Sequence, residues 1–185
     1  MKQTRSTHRL AYTAMMAALV YAATLISFPL LGSKVRLANS VSLLGSLLLG
    51  PVFGGLASGL GSFLYDVQTG YDIAQCLITF VSKFLMAWVC GTIAFAGGRR
   101  AEDHRWNTVS CVAGAWTYVA LYMLKTYVYQ RFVYGYPMDA VWAAAASKFP
   151  ASAINAVAAM IIAPVLYAAV LPALRSAGQL EHMRN

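Results

Sequence analysis

Charged residues are scarce in this sequence: they make up 11% of its 185 residues, and only 6 of them are acidic. A soluble domain of this length needs more polar side chains than this to cover its surface. Hydrophobic residues account for 59% of the chain and the mean hydropathy is +0.60, outside the usual globular range. The sequence therefore indicates a protein whose main solvent is lipid.

The sequence also lacks the residue sets that enzymes and metal sites need. It contains no HExxH, GxSxG or Walker sequence, and no paired carboxylates on one helix face. Cys76, Cys90 and Cys111 lie in apolar stretches without CxxC spacing, so we expect buried, unreactive thiols rather than disulfides or a zinc site. We expect no catalytic residue, no metal and no cofactor, and active transport would draw its energy from another subunit or an ion gradient.

Long apolar runs are what the sequence has in abundance. They predict an all-α integral membrane protein with a single transmembrane domain over residues 1–185 and six helices, at about residues 10–31, 39–50, 52–68, 73–96, 108–128 and 143–171. The first run has 22 residues without a charge, enough to cross ~30 Å of hydrocarbon at ~1.5 Å per residue. Gly50-Pro51 predicts a tight turn that divides the next 30 residues into two short helices.

The positions of Lys and Arg predict the orientation of these helices, since short cytoplasmic loops carry an excess of both. With both termini in the cytoplasm, eight cations fall inside: Lys2, Arg5, Arg9, Arg99, Arg100, Arg105, Arg175 and Arg184. Only Lys34, Arg36 and Arg131 fall outside. The formal net charge is +8, but the cations do not form a basic stripe with interleaved aromatic residues. We therefore expect no nucleic-acid partner.

Polar residues near the outer helix ends predict a ligand cavity that opens to the outside. Lys83 lies ten residues into the fourth helix, near the membrane midplane, where a charge is costly and faces a partner, the bundle interior or water. Lys125 and Lys148 lie about one turn from outer helix ends, where interfacial anchoring is an equal alternative. The other candidates for polar contacts to a ligand are Asn39, Asp66, Asp72, Gln75 and Asn155. The structural alternative for Lys83 is an ion pair with Asp66 or Asp72 that only holds the bundle together.

Aromatic residues near the last outer loop allow two interpretations. A belt at the lipid headgroups is the ordinary one. A planar heteroaromatic ligand could also stack on them, and for this role we select Tyr122, Tyr129 and Trp142 as substrate-binding candidates. Tyr118, Tyr122 and Tyr129 share a helical spacing, so one face of the fifth helix could contribute.

Small residues recur every four positions on the first helix, at Ala14, Ala18 and Ala22. Such a stripe permits a close helix crossing, and its spacing alone favours packing within the bundle.

The alanine stripe and the hairpin 39–62, with its Leu-Leu-Leu-Gly-Pro-Val-Phe-Gly-Gly turn, together resemble the substrate-binding S component of an energy-coupling factor (ECF) transporter. The chain is most similar to the riboflavin-type or hydroxymethylpyrimidine-type group, over nearly its whole length. The resemblance implies a bundle that binds a vitamin or related heteroaromatic precursor at the outer face, with the loop Gly32 to Ala38 as a lid.

The resemblance also implies partners and a location. Ala14, Ala18 and Ala22 would contact a membrane-embedded coupling subunit that sits on two ATP-binding-cassette ATPases, in a bacterial cell membrane that the chain crosses several times. Pyridoxine-like, pyrimidine, flavin and deazapurine ligands remain open. The alternatives are a membrane enzyme, a non-catalytic structural protein and a secondary transporter; no reactive residue set supports the first, and no internal repeat supports the last.

Overall fold

The computed structural model describes the backbone of residues 2–30 and 33–184, and the side chains of residues 7–27, 36–180 and 183. Within these residues the chain forms six long helices, a short two-stranded ribbon and a short helix near the end. The helices are α1 (Lys2–Leu25), α2 (Ala38–Leu49), α3 (Pro51–Gln68), α4 (Ile73–Phe95), α5 (His104–Val128), α6 (Met138–Ser176) and α7 (Gln179–Arg184). A 3-10 turn, Ala96–Gly98, follows α4, and a π-helical turn, Tyr129–Val133, follows α5.

The hairpin between α2 and α3 turns at Gly50, the position that the sequence indicates. Gly50 has φ +82°, a conformation that favours glycine, and Pro51 occupies the first turn of α3, where a missing N–H costs nothing. The two helices pack closely, since a Cβ added at Gly54 would lie 2.4 Å from the Ser46 Cα. Glycine is therefore required at position 54.

The end of α1 differs from the prediction. A helix was expected to reach residue 31, but α1 ends at Leu25, and Ser27–Leu30 pairs antiparallel with Ser33–Arg36. Pro29 explains the change, because it restricts the residue before it to extended conformations and fits an edge strand. The expected lid loop Gly32 to Ala38 is likewise replaced: Gly32 lies outside the described residues, Ser33–Arg36 is a strand, and Ala38 already begins α2.

Helix α2 lies at the centre of the bundle, in contact with all five other long helices. Ten of its 12 residues are buried, and Leu43 and Leu47 are fully enclosed. This helix is buried on nearly every side, so the other helices pack around it.

Helices α4 and α6 differ from the rest in combining length with high hydropathy. Among the described helices, Ile73–Gly98 and Met138–Ser176 are long and apolar enough to cross a membrane by length and composition. The 39 residues of α6 correspond to about 58 Å, more than a bilayer core requires, and it includes Pro150, Pro164 and Pro172.

One end of the bundle is closed by polar contacts around the loop between α4 and α5. The carbonyl oxygen of Ala101 accepts hydrogen bonds from the Tyr167 hydroxyl at 2.9 Å and from Asn107 Nδ2 at 2.8 Å. Ala101 is fully buried, and both donors are buried with it. These contacts join α5 and α6 to the loop and close this end of the bundle.

Candidate ligand-binding site

A cavity of about 450 Å³ lies at the end of the bundle opposite Ala101. Successive helices run in alternating directions, so this end collects the last turns of α1, α3 and α5 and the first turns of α2, α4 and α6. Its size suits a small organic ligand. Apart from Ala38, every residue lining it carries a polar side-chain atom.

The structure brings nine of the eleven predicted site residues to this one cavity. They are Asn39, Asp66, Gln75, Lys83, Tyr122, Lys125, Tyr129, Lys148 and Asn155. They come from five different helices and the π-helical turn, so only the folded bundle assembles them.

Lys83 forms the deepest part of this set. Its side chain is only 6% exposed, its Nζ donates a hydrogen bond to Asn39 Oδ1, and it lies 4.2 Å from the centre of the Tyr118 ring. A buried ammonium group needs such partners, because an aromatic face and an amide oxygen replace part of its lost hydration. The structural alternative, an ion pair with an acid, is not found among the described residues: neither Asp66 nor Asp72 lies within 4.0 Å of the Lys83 ammonium group.

Arg36 covers the cavity from the second strand of the ribbon. Its backbone N–H donates to Asn155 Oδ1 at 2.8 Å, and its guanidinium carbon lies 5.0 Å from the centre of the Tyr65 ring on α3. The ribbon is thereby held to both α6 and α3 at the point where it meets the cavity.

Lys125 and Lys148 are half-buried on α5 and α6. Lys125 Nζ lies 5.9 Å from the Tyr129 ring centre, and Asp66 is 8% exposed on α3. The cavity therefore combines four cationic side chains with a single carboxylate.

Asp72 and Trp142 do not line the cavity. The Asp72 carboxylate caps α4 by accepting a hydrogen bond from the Ala74 N–H at 3.3 Å, which satisfies a free donor of the first turn. Trp142 is 63% exposed on α6 and is suited to the lipid headgroup region. Proximity in sequence to the outer loops was not sufficient to bring these two side chains to the site.

Similarity to known proteins relates this chain to one kind of transporter. The profile of the family described as "ECF-type riboflavin transporter, S component" matches residues 4–171. The chain belongs to this family. A solved structure described as "Structure and mechanism of the S component of a bacterial ECF transporter" has the same fold, with a TM-score of 0.64 over 92% of this chain and 99% of that one, at 18% identity. No curated protein matches the sequence significantly.

This membership decides the general function. The chain is a substrate-binding S component of an ECF transporter, a membrane protein that serves uptake, and ATP hydrolysis resides in partner proteins. It is not an enzyme, and the alternatives of a secondary transporter and a structural protein no longer apply.

The alanine stripe of the S component faces outward. Ala14, Ala18 and Ala22 are all exposed, whereas the opposite face of α1, with Met16 and Val20, is buried. A Cβ at Gly61 would lie 2.4 Å from the Ala17 carbonyl oxygen, so α1 packs on α3 through a different face. The stripe is therefore not used for packing within the described bundle.

Several residues that line the cavity of the S component were not among the predicted site residues. Arg36 was taken only as an outer-loop cation and Tyr118 only as part of a helical spacing. The others are Thr24, Ala38, Ser62, Tyr71, Thr79, Ser82, Thr126, Gln130, Tyr134 and Ser152. A period of three to four from Lys83 predicts Thr79, and the same period from Asn155 predicts Ser152; nothing in the sequence indicates Thr24.

Proposed function

We propose that this S component crosses the bilayer six times, with both termini in the cytoplasm and the cavity open to the outside. The distribution of cations supports this orientation. The closed end of the bundle carries Arg9, Arg99, Arg100, Arg105 and Arg175, and the excess of Lys and Arg is typical of cytoplasmic loops. In this orientation the protein is a multi-pass component of a bacterial cell membrane.

The cavity binds a vitamin or a related small heteroaromatic precursor. The observation that carries this proposal is a polar, tyrosine-lined cavity enclosed by all six long helices within an otherwise apolar bundle. Polar side chains are costly inside a membrane protein and are retained where they face water or a ligand. Tyrosines supply both a stacking surface and a hydroxyl, which suits a flat ring with polar edges.

The ribbon acts as the lid of this cavity. Among the ribbon side chains that the structure describes, Arg36 contributes to the lining, and its contacts with Asn155 and Tyr65 hold the ribbon closed over α6 and α3. Release of these contacts would open a path from the outer face to Lys83.

Transport requires further subunits. The exposed stripe Ala14, Ala18 and Ala22 contacts a membrane-embedded coupling subunit, which in turn works with two ATP-binding-cassette ATPases. Small, exposed side chains on one helix face allow another helix to approach closely in lipid, which supports this assignment.

The proposal is tested by identifying the ligand of the purified protein by native mass spectrometry, both as isolated and after incubation with flavins, pyridoxine, pyrimidines and deazapurines. Binding is then measured for Lys83→Ala, with Arg105→Ala at the closed end as a control. We expect a heteroaromatic ligand, at least tenfold weaker binding by Lys83→Ala and unchanged binding by Arg105→Ala. Normal binding by a folded Lys83→Ala protein would show that the ligand uses another site.

A further inference from the structure

The charges of the cavity are strongly unbalanced. Arg36, Lys83, Lys125 and Lys148 line it together with one carboxylate, Asp66. Within the described part of the chain, the ion pair shorter than 4.0 Å joins Arg175 to Glu102, outside the cavity. The four cations therefore have no carboxylate partner at salt-bridge distance, although they share a space inside a low-dielectric bundle.

Such an arrangement is unfavourable in the empty protein. Like charges in a low-dielectric environment repel each other more strongly than in water, and each buried cation also loses hydration. Arg36 cannot relieve this repulsion by losing its proton, because a guanidinium stays charged in proteins. A negative group placed in the cavity would remove the imbalance.

Unused hydrogen-bond donors point to the same ligand chemistry. The Nε of Arg36 is buried and has no hydrogen-bond partner, and the hydroxyl of Ser62, which is 3% exposed, also has none. Both residues line the cavity. A buried donor without a partner is energetically costly, so an oxygen-rich group that accepts from these donors would be stabilised.

The aromatic lining specifies the rest of the ligand. Five tyrosines line the cavity, Tyr71, Tyr118, Tyr122, Tyr129 and Tyr134, without any phenylalanine or tryptophan among the described lining residues. Tyr118 and Tyr122 stack on each other, with ring centres 6.2 Å apart and planes 20° apart. The Lys83 ammonium group lies 4.2 Å from the centre of the Tyr118 ring, closer than Lys125 lies to Tyr129, so the tyrosines other than Tyr118 offer most of the surface for a ligand ring.

We propose that the ligand of this S component is an anion, a planar heteroaromatic ring that carries a carboxylate or a phosphate, and that Arg36, Lys125 and Lys148 bind its negative group. This inference rests on the proposed function and specifies the chemical class of the substrate. A carboxylate or a phosphate pairs with the planar fork of a guanidinium and with lysine ammonium groups through charge-assisted hydrogen bonds.

The test compares probes that differ in charge while the ring is kept. The pairs are nicotinate with nicotinamide, pyridoxine 5′-phosphate with pyridoxine, and flavin mononucleotide with riboflavin. Binding to the purified full-length protein is measured by titration calorimetry at constant ionic strength. We expect the anionic member of at least one pair to bind ten times more tightly or better, and the pair that shows this distinguishes a carboxylate ligand from a phosphate ligand.

Three variants test which side chains cause the preference for the anionic probe. Lys125→Gln and Lys148→Gln should each reduce the preference for the anionic probe at least fivefold, while binding of its neutral counterpart changes less. Arg131→Gln is the matched control, because Arg131 is an exposed cation at the same end that does not line the cavity. Thermal unfolding of each variant shows whether it is folded.

The outcomes separate this inference from the proposed function. If neutral probes bind as tightly as their anionic counterparts, the ligand is not selected by charge and the inference is wrong, while the proposed function stands. If the preference for anions is unchanged in both lysine variants, the inference is also wrong. If no member of any pair binds, the proposed heteroaromatic ligand is itself contradicted, and the inference fails with it.

Discussion

The backbone N–H of Arg36 donates a hydrogen bond to Asn155 Oδ1 at 2.8 Å, across 119 residues of sequence. This contact joins the ribbon to α6 above the cavity. Because the donor belongs to the backbone, the identity of the side chain at position 36 does not determine the bond, whereas the acceptor depends on the asparagine.

Asn155→Ala should therefore loosen the ribbon. Loss of a hydrogen bond of about 1 kcal/mol predicts about fivefold faster amide exchange at Arg36, and ligand dissociation faster by a similar factor. Hydrogen–deuterium exchange of the peptide that contains residues 33–37 measures the first, and stopped-flow displacement measures the second. Ser147→Ala is the control, because that exposed hydroxyl bonds only within α6. Unchanged exchange at Arg36 would show that other contacts hold the ribbon.

Gly91→Ala should destabilise the bundle, because a Cβ at this position would lie 2.5 Å from the Pro51 Cα, a backbone atom that cannot rotate away. Overpacking of this kind costs about 1–3 kcal/mol. Gly45→Ala is a matched control within a helix, since its Cβ would lie 2.9 Å from Met16 Cγ, a side-chain atom that can move by rotation, and not from a backbone atom. Thermal unfolding in detergent should show a clearly larger loss of stability for Gly91→Ala. Equal losses would contradict the close packing of α3 on α4.

The proposed orientation predicts which positions a membrane-impermeant maleimide reaches on intact cells. Asp139→Cys, exposed at the start of α6, should be labelled, and Glu102→Cys, exposed before α5, should be labelled only after the cells are opened. The unmodified protein is the control, because Cys76, Cys90 and Cys111 are all buried. Labelling of Glu102→Cys on intact cells would place the cavity on the cytoplasmic side.

Ala18→Trp should abolish uptake in cells that contain the whole transporter, while ligand binding by the purified subunit stays unchanged. The reason is that Ala18 is exposed, so a bulky side chain would disturb a partner helix and not the bundle. Ala120→Trp is the control. Ala120 is an exposed alanine that lies about as far from the outer end of α5 as Ala18 lies from the outer end of α1. Loss of binding by Ala18→Trp would assign the stripe to internal packing instead.

The sequence by itself determined the solvent, the six helices and nine of the residues that line the cavity. Few charges and long apolar runs require a lipid environment, and the Gly50-Pro51 turn follows from backbone sterics alone. A polar side chain inside an apolar helix is energetically costly and is usually retained for a function. For this reason the sequence alone pointed to Lys83, Lys125, Lys148 and Asn155.

The tertiary structure decided the features that the energetic cost of placing single polar residues in apolar helices does not predict. The ribbon at 27–36 depends on pairing between two strands, and the place of Arg36 over the cavity depends on Asn155 and Tyr65, which are remote in sequence. Ser62 and Gly61 are adjacent small residues on one helix, yet one lines the cavity and the other packs against α1. Composition cannot separate them, because the direction of a side chain is set by how a helix is rotated against its neighbours, and that rotation is determined only when all the helices pack together.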